Sequence, residues 1–248
     1  NLEFLDISSN HIPSLQKIDF LSLRDSLRVL YIHKTGTDLA SIRQLGSLEF
    51  LEDLDVSHNL VEPTFMNRLS TLGRLRRLNL TFCKIGDRLG ALLGRLARLK
   101  SLNLQGVCIG EDTTRSLMAL KELTELCLFN IHLTDASFSH ISNLRSLTSL
   151  SISSDLVTRE GTNALKSLES LDHLTLHAEQ VHDEGLQFLI KMPELTRLSL
   201  RLGTFGERIS RALGGLLKLK TLSIGSARID YNVFAMLTGS LESLSVSA

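Results

Sequence analysis

The sequence has no tryptophan, and only three prolines and three cysteines in 248 residues. So few prolines, without any low-complexity run, argue against a disordered linker. No apolar stretch approaches the roughly 20 residues that a membrane-spanning helix needs. The formal net charge is zero, so global charge points to neither nucleic acid nor a membrane surface as the partner.

The three cysteines, Cys83, Cys108 and Cys127, have no metal-ligand spacing, and an odd number of thiols cannot all pair. A secreted disulfide scaffold carries more cysteines, in even number. We therefore expect free thiols, which favour an intracellular over an extracellular location. The sequence itself specifies no compartment.

The dominant feature is a repeated LxxLxL pattern, with isoleucine or valine allowed at its last position. Its first leucine recurs at spacings of 25, then 24 eight times, then 22 residues. The first leucines are Leu2, Leu27, Leu51, Leu75, Leu99, Leu123, Leu147, Leu171, Leu195, Leu219 and Leu241. So many equal spacings indicate eleven copies of one structural unit.

Each unit contains two kinds of apolar spacing. The LxxLxL pattern ends in period-two alternation, which predicts a short strand. A second set, as in Leu186, Leu189 and Met192, is spaced by three and predicts one face of a helix. Segments such as "LTD" and "VHDE" lie between the two sets and supply helix-starting residues.

One such unit cannot bury its own leucines, whereas stacked units share a continuous apolar core. The strands would then form a parallel sheet with a strand spacing of about 4.8 Å. The period and the pattern resemble the leucine-rich repeat family, in its short strand-plus-helix form, over essentially the whole chain. The resemblance implies an α/β solenoid, a curved horseshoe with the parallel sheet on its concave face and the helices on its convex face.

We expect residues 1–248 to be a single domain of about eleven repeats and a fragment of a longer protein, because neither end carries a polar cap.

The resemblance also implies a ladder of Asn or Cys at the ninth position of each repeat, bonding neighbouring turns. That column reads Asn10, Thr35, Asn59, Cys83, Val107, Ile131, Asp155, Glu179, Gly203 and Ala227. We therefore predict a regular turn only as far as Cys83, whose role is structural.

The residues between the inward leucines face solvent on the concave side. The apolar or aromatic ones are Phe4, Val29, Tyr31, Phe82, Phe129 and Leu202. Because arginine and aromatic side chains anchor protein interfaces, we predict a partner-binding patch. It comprises Tyr31, Asp53, Asp55, Arg76, Arg77, Phe82 and Phe129. The alternative is that Phe82 and Phe129 are additional core residues.

Charge is zoned along the chain. Acids cluster at Glu49, Glu52, Asp53, Asp55 and Glu62, and nine Arg or Lys residues follow between positions 67 and 100. Of these we expect Arg76, Arg77 and Lys100 on the sheet face, and Arg88, Arg95 and Arg98 on the helix side. The zone favours an acidic partner. The alternatives are a phosphate backbone or mutual neutralisation of the neighbouring repeats. We predict no nucleic-acid binding, which requires one basic face with stacking aromatics.

No catalytic motif is present. His33 and His58, with Asp53 and Asp55, could be drawn as a metal site, but no compact ligand motif supports one. We therefore predict neither enzymatic activity nor a metal or other cofactor. The sequon at Asn79 lies in a strand of the proposed patch, and we interpret it as a chance match.

These observations predict a non-catalytic protein–protein interaction module that binds a protein partner on its concave face. It would serve as a recognition arm of a larger assembly or as a receptor. A rigid sheet orders little on binding, so contact energy is not lost to loop entropy. The alternative is a structural spacer or scaffold subunit packed within a large complex, which the Ser- and Thr-rich later repeats would suit. The partner and the oligomeric state are not predicted.

Overall fold

The computed structural model contains eleven parallel strands among its described residues, ordered β1 to β11 in one sheet. The structure describes residues 1–12, 15, 18–36, 39, 44–61, 63–85, 89–129, 132–226, 228–230, 232, 234, 237 and 239–247. The strands are β1 Phe4–Asp6, β2 Val29–Tyr31, β3 Asp53–Asp55, β4 Arg77–Asn79, β5 Ser101–Asn103, β6 Glu125–Phe129, β7 Ser149–Ser153, β8 His173–Ala178, β9 Arg197–Leu202, β10 Thr221–Ser226 and β11 Ser243–Ser247. The predicted parallel α/β architecture is confirmed.

Short helices alternate with the strands, as the apolar spacing by three predicts. The α-helices are α1 Pro63–Leu69, α2 Leu89–Leu93, α3 Glu111–Leu117, α4 Asp135–Ile141, α5 Arg159–Ala164 and α6 Ser210–Gly214. Helices of the 3-10 type lie at Phe20–Leu23, Leu45–Ser47, Leu165–Ser167, Asp183–Lys191 and Glu207–Ile209. In the part of the chain that the structure describes, no helix is both long enough and apolar enough to cross a bilayer.

The chain divides into two compact units, Asn1–Leu128 and Phe129–Ala248. Within each unit, the strand register pairs residues at the same position of successive repeats. In the first unit Leu30 pairs with Leu54, and Leu54 pairs with Leu78. Side chains one repeat apart in sequence are therefore nearest neighbours on the sheet. That the whole chain is one domain of a longer protein remains a prediction.

The inward leucines form the apolar core of each unit. Leu99, Leu102 and Leu104 are at most 1% exposed in the first unit. Leu174 and Leu176 are fully buried in the second. Burying one such side chain stabilises the fold by about 1.5–3 kcal/mol relative to leaving it exposed. The repeat supplies these positions in successive turns, although Leu2 in the first repeat and Leu244 in the last are exposed.

A left-handed turn ends each of the first five strands. The residue seven positions after the first leucine has positive φ in every case, with values of 58° at Ser9, 51° at Lys34, 57° at His58, 52° at Phe82 and 70° at Gly106. In the first four repeats its amide donates to the next repeat; the amide of Phe82, for example, donates to the carbonyl of Gln105 at 2.8 Å. In the second to fifth repeats this turn points the following residue, at the ninth position, into the core: Thr35, Asn59, Cys83 and Val107 are buried.

The predicted ladder is present in the first unit. The buried Asn59 donates to the carbonyl of Ile32 at 2.6 Å and accepts from the amide of Thr35 at 3.1 Å. The Cys83 thiol donates to the carbonyl of Val56 at 3.3 Å. The prediction that the regular turn ends at Cys83 is too short by one repeat, because Gly106 has the same left-handed conformation.

The second unit ends its strands differently. Strands β8, β9 and β10 are six residues long, whereas β1 to β5 have three. The extra residues continue the period-two alternation, so the seventh position after the first leucine now points inward. The prediction that Leu202 is exposed is therefore wrong: it is 2% exposed. The buried Ser154 at this position donates to the carbonyl of Leu133 and replaces the asparagine ladder.

Candidate functional site

Asp53 is the centre of a hydrogen-bonded group on the sheet face of the first unit. Strands β2, β3 and β4 are adjacent, so Asp53 lies between Tyr31 and Arg77. The Tyr31 hydroxyl donates to Asp53 Oδ2 at 3.0 Å, and Arg77 Nε donates to the same oxygen at 2.7 Å. Asp53 is only 7% exposed. A buried carboxylate needs such partners, because an unpaired buried charge is strongly destabilising.

The electrostatics follow from this geometry. Burial, followed by the hydrogen bond to Asp53, raises the pKa of Tyr31 above its ordinary value. The hydrogen bond to Asp53, reinforced by the carboxylate charge, raises the pKa of Arg77. Tyr31 is therefore a neutral hydrogen-bond donor at physiological pH, and Arg77 is held in one orientation by a charge-assisted bond.

Asp55 belongs to a second hydrogen-bonded group, one position further along the face. Its Oδ1 accepts from the amide and the hydroxyl of Ser57 at 2.8 and 2.6 Å, and its Oδ2 accepts from the side-chain amide of Asn79 at 2.8 Å. Asn79 Oδ1 in turn accepts from the amide and the hydroxyl of Thr81. The side-chain nitrogen at the sequon thus already has an intramolecular partner.

This arrangement recurs as an Asx turn at the ends of four strands, with the side-chain oxygen accepting from the amide two residues on. The pairs are Asp6 with Ser8, Asp55 with Ser57, Asn79 with Thr81, and Asn103 with Gln105. Sequence reasoning missed this role. The signal was an Asp or Asn followed two residues later by Ser, Thr or Gln at the same place in each repeat.

Phe82 is an exposed aromatic side chain, with 51% of its surface accessible. Its ring lies over Gly106, where an added Cβ would come within 2.3 Å of Phe82 Cδ1. The His58 ring packs beside it at 5.0 Å between centroids. Since Phe82 is exposed, the alternative that it is a core residue is wrong.

Phe129 lies in the second unit and is half-buried. Its ring contacts the imidazole of His177 edge to face, at 5.1 Å between centroids. Burial, followed by the charge of Arg201, lowers the pKa of His177, so this imidazole is neutral at physiological pH. Within the first unit the structure joins Tyr31, Asp53 and Arg77 directly, and Phe129 belongs to a separate group.

Among the described residues, no group of three or more His, Cys, Asp or Glu side chains is arranged to hold a metal ion. His33 Nε2 lies 3.5 Å from the Ser9 hydroxyl, and His58 packs on Phe82. Arg95 and Arg98 are exposed. Arg88, predicted on the same side as these two, lies outside the described residues.

Solved structures show what this fold is similar to. An internalin (InlF) from Listeria monocytogenes superposes with a TM-score of 0.65 and 21% identity, over 98% of this chain and 80% of its own. An internalin C2 (InlC2) from the same species gives 0.57 and 20%, over 91% and 83%. TLR13 in a complex with ssRNA13 gives 0.61 and 23%; the match covers 99% of this chain but only 39% of the TLR13 chain. At these identities the likeness concerns the fold alone.

Sequence comparison addresses the family directly. No curated protein matches the chain. The family model for the leucine-rich repeat region matches residues 1–188, about three quarters of the sequence. The match covers all of the first unit and the strands β7 and β8 of the second. Together with the parallel sheet and the alternating helices, it shows that this chain belongs to the leucine-rich repeat family, whose members serve as protein-interaction modules.

Proposed function

We propose that this chain is a non-catalytic recognition module that binds a protein partner on the sheet face of its first unit. Tyr31, Arg76, Arg77 and Phe82 supply the contacts. Asp53 positions Tyr31 and Arg77 through hydrogen bonds. Asp55 is occupied by Ser57 and Asn79 and holds the adjacent strand end in place. Phe129, in the second unit, is a separate candidate contact. The role is that of a recognition arm within a larger assembly or of a receptor.

The observation that carries the proposal is the single carboxylate oxygen of Asp53 that holds both Tyr31 and Arg77. These two side chains are ordered before any partner arrives, so binding costs less side-chain entropy. Phe82 adds an exposed ring fixed against Gly106 and His58. Tyrosine, arginine and aromatic groups of this kind dominate the energetics of protein interfaces.

A nucleic-acid partner is the competing class, because one similar structure is a TLR13 complex with ssRNA13. The sheet face of the first unit does not favour a polyanion. Three acidic residues, Glu3, Glu52 and Asp55, lie along this face near the arginines. A phosphate chain binds through repeated cations with a strong salt dependence, and an acidic residue on each of several strands would repel it.

A spacer role is the second candidate, and the second unit supplies the observation for it. Its outward strand positions include small hydroxyl side chains at Ser151, Thr175, Ser199 and Ser223, which are half-buried and aligned across four neighbouring strands. Such a face offers few anchors. If the chain served only as a spacer, partner capture would not depend on the aromatic and arginine residues of the first unit.

The test compares partner capture from the native source by wild type and by two double variants. The first is Arg76→Ala with Phe82→Ala, both exposed on the sheet face. The matched control is Arg98→Ala with Leu217→Ala, which removes the same kinds of exposed side chain from helix-to-strand turns. Capture is measured quantitatively at physiological salt, and melting temperatures verify that all three proteins are folded.

We expect the sheet-face variant to lose a small set of proteins that wild type and the control both retain. The loss should reach about thirtyfold in affinity, as expected when two anchors of about 1 kcal/mol each are removed. Equal capture by all three proteins would contradict binding at this face and favour the spacer role. Two single variants are tested next. Tyr31→Phe shows whether binding depends on the hydroxyl that bonds Asp53, and Phe129→Ala shows whether it depends on the second unit.

A further inference from the structure

One position of the repeat, directly after the first leucine, carries charges of alternating sign across the first unit. The order is Glu3, Arg28, Glu52 and Arg76, each directly before one of the strands β1 to β4, and amide-to-carbonyl bonds of 2.8 Å link them in turn. Arg28 lies 3.9 Å from Glu3 and 3.0 Å from Glu52, and Arg76 lies 3.7 Å from the other oxygen of Glu52. Opposite charges on neighbouring strands stabilise a sheet.

Lys100 breaks the alternation. Its amide donates to the carbonyl of Arg76 at 2.8 Å, so the two side chains are neighbours in the same column. Lys100 is exposed, and its ammonium has no ion pair with any residue that the structure describes. The next residue in the column is the uncharged Thr124. Two like charges side by side destabilise a sheet, so a negative charge placed between Arg76 and Lys100 would be favourable.

Arg77 adds a third cation, one residue after Arg76 and at the start of β4. Its Nε is fixed on Asp53, whose side chain is 10% exposed, while the Arg77 side chain is 65% exposed. Within the described part of the chain, the terminal guanidinium nitrogens of Arg77 make no hydrogen bond. An arginine held by Nε presents its remaining donors as a planar fork, the geometry that binds a carboxylate with two parallel hydrogen bonds.

We propose that Arg76, Arg77 and Lys100 form a clamp for a carboxylate on an acidic segment of a protein partner. The inference rests on the proposed function and specifies the chemistry of the partner at that face. The bound carboxylate would relieve the repulsion between Arg76 and Lys100, while Arg77 would fix its orientation. Electrostatic complementarity of this kind sets specificity and association rate.

The extent of the cationic surface favours one or two carboxylates over a polyanion. Glu52 and Asp53 border it on β3 and the segment before it, and Glu125 borders it on β6. The cationic surface of Arg76, Arg77 and Lys100, called the basic step below, therefore spans the two strands β4 and β5, about 10 Å in width. A nucleic-acid strand crossing it would meet acidic side chains on both sides, whereas one acidic side chain of a protein fits within it.

The experiment selects binders from a random peptide library displayed on phage, using the full chain as bait. The strongest peptide is then synthesised in two forms, one with its Asp and Glu residues and one with Asn and Gln in their place. Binding of both forms is measured to wild type and to Lys100→Glu. Arg98→Glu is the matched control, since it makes the same charge change at an exposed turn residue two positions away.

We expect acidic peptides to be enriched and the amide form to bind about tenfold more weakly. Lys100→Glu should lose binding to the same degree, whereas Arg98→Glu should not. Lys100→Glu should also melt at or above the wild-type temperature, because a glutamate at that position completes the alternation with Arg76. This combination of a stable protein with lost binding separates the clamp from a merely structural lysine.

Three results would overturn the clamp: no enrichment of acidic peptides, equal binding of the acidic and amide forms, or unchanged binding to Lys100→Glu. If the selected peptides nevertheless lose affinity for Phe82→Ala, the proposed function stands and only the clamp fails. If neither Lys100→Glu nor Phe82→Ala alters binding, both proposals fail. Tighter binding of single-stranded RNA than of any peptide would assign the basic step to nucleic acid.

Discussion

At the scale of single residues, the Phe82 ring packs on Gly106 in the space that a side chain at position 106 would need. Gly106 has a φ of 70°, and a Cβ there would collide with the Phe82 ring at 2.3 and 2.5 Å. A larger residue in the same turn would therefore be strained and would displace the exposed ring that we assign to partner binding. The glycine is explained by the turn and by the neighbouring aromatic side chain together.

Gly106→Ala should lower the free energy of unfolding by about 1–3 kcal/mol, because it combines an unfavourable left-handed backbone with the loss of the Phe82 position. Gly73→Ala is the matched control, since nothing lies within 4 Å of its added Cβ. Urea unfolding followed by circular dichroism measures both. Equal stabilities for the two variants would contradict the packing of Phe82 on Gly106.

Because of Cys83, the free energy of unfolding should decrease at alkaline pH. Burial raises the pKa of the Cys83 thiol to about 11 from its ordinary value of 9.0. Between these values the unfolded chain releases the thiol proton while the folded chain keeps it. Stability is therefore fully present below pH 9 and falls as pH rises toward 11.

We expect the Cys83 contribution to fall by about 2 kcal/mol across this interval. Urea unfolding of wild type and Cys83→Ala at several pH values measures the difference between the two slopes, in which other titrating groups cancel. The variant is less stable throughout, because it loses the bond to Val56, but its curve should be flatter above pH 9. Parallel curves would show that folding does not raise the pKa of the Cys83 thiol.

Asp53 and Asp55 illustrate what a single sequence conceals at this scale. Their position on the sheet face was predicted, but their role as hydrogen-bond acceptors for Tyr31, Arg77 and Asn79 was not. The donors lie 22 or 24 residues away in the chain and become neighbours only through the strand register. A charged residue at a solvent-facing position looks free in the sequence even where the fold gives it partners.

At the scale of the element, the turns that end the strands distinguish the two units. In the first unit the buried Asn59 joins the turns of two repeats, with donors to Ile32, Val56 and Ser57 and an acceptor for Thr35. In the second unit the strands are longer and Ser154 points inward. Its hydroxyl donates to the carbonyl of Leu133 and accepts from the amides of Leu156 and Val157, so it also joins two repeats. The stacking is preserved because both turns satisfy the backbone groups that face the next repeat.

Asn59→Ala should cost about 2–4 kcal/mol, because it leaves several buried amide and carbonyl groups without a partner. Asn143→Ala removes a side chain that also bonds two carbonyls, those of Ser139 and His140, but at an exposed site where water replaces it. Its cost should stay below about 1 kcal/mol. Urea titration measures both, and similar losses would contradict the buried ladder.

The lengthening of the strands was only partly predictable. Ala178 and Leu202 stand where the first unit has Lys34, His58 and Phe82, and an apolar residue at that position is the signal that it points inward. The pattern alone did not distinguish an exposed leucine from a buried one. The decision depends on whether the backbone turns at that residue or continues as a strand, and the neighbouring repeats determine this through their hydrogen bonds.

For the whole molecule, apolar burial and surface charge contribute very unequally to stability. Among the described ion pairs, only Arg77 with Asp53 includes a carboxylate side chain that is largely buried, at 10% exposure. The others join side chains that are at least one third exposed. Exposed pairs of this kind are worth between zero and about 1 kcal/mol each and are screened by salt.

The melting temperature should therefore change by less than about 4 °C when sodium chloride is raised from a low to a high concentration. Differential scanning calorimetry at a series of salt concentrations makes the measurement. Binding of an acidic peptide at the clamp should weaken over the same series, because the interacting charges are exposed. A large fall in the melting temperature would show that the surface pairs contribute more than their exposure indicates.

The sequence by itself determined the period, the inward leucines, the alternation of strand and helix, and membership of a parallel stack. These follow from apolar spacing within one repeat, which is local information written many times. Only the tertiary structure decided where strands end, which acids are occupied and which cations are left without a partner. Those properties depend on contacts between residues about one repeat apart, and such contacts exist only after the register aligns the repeats side by side.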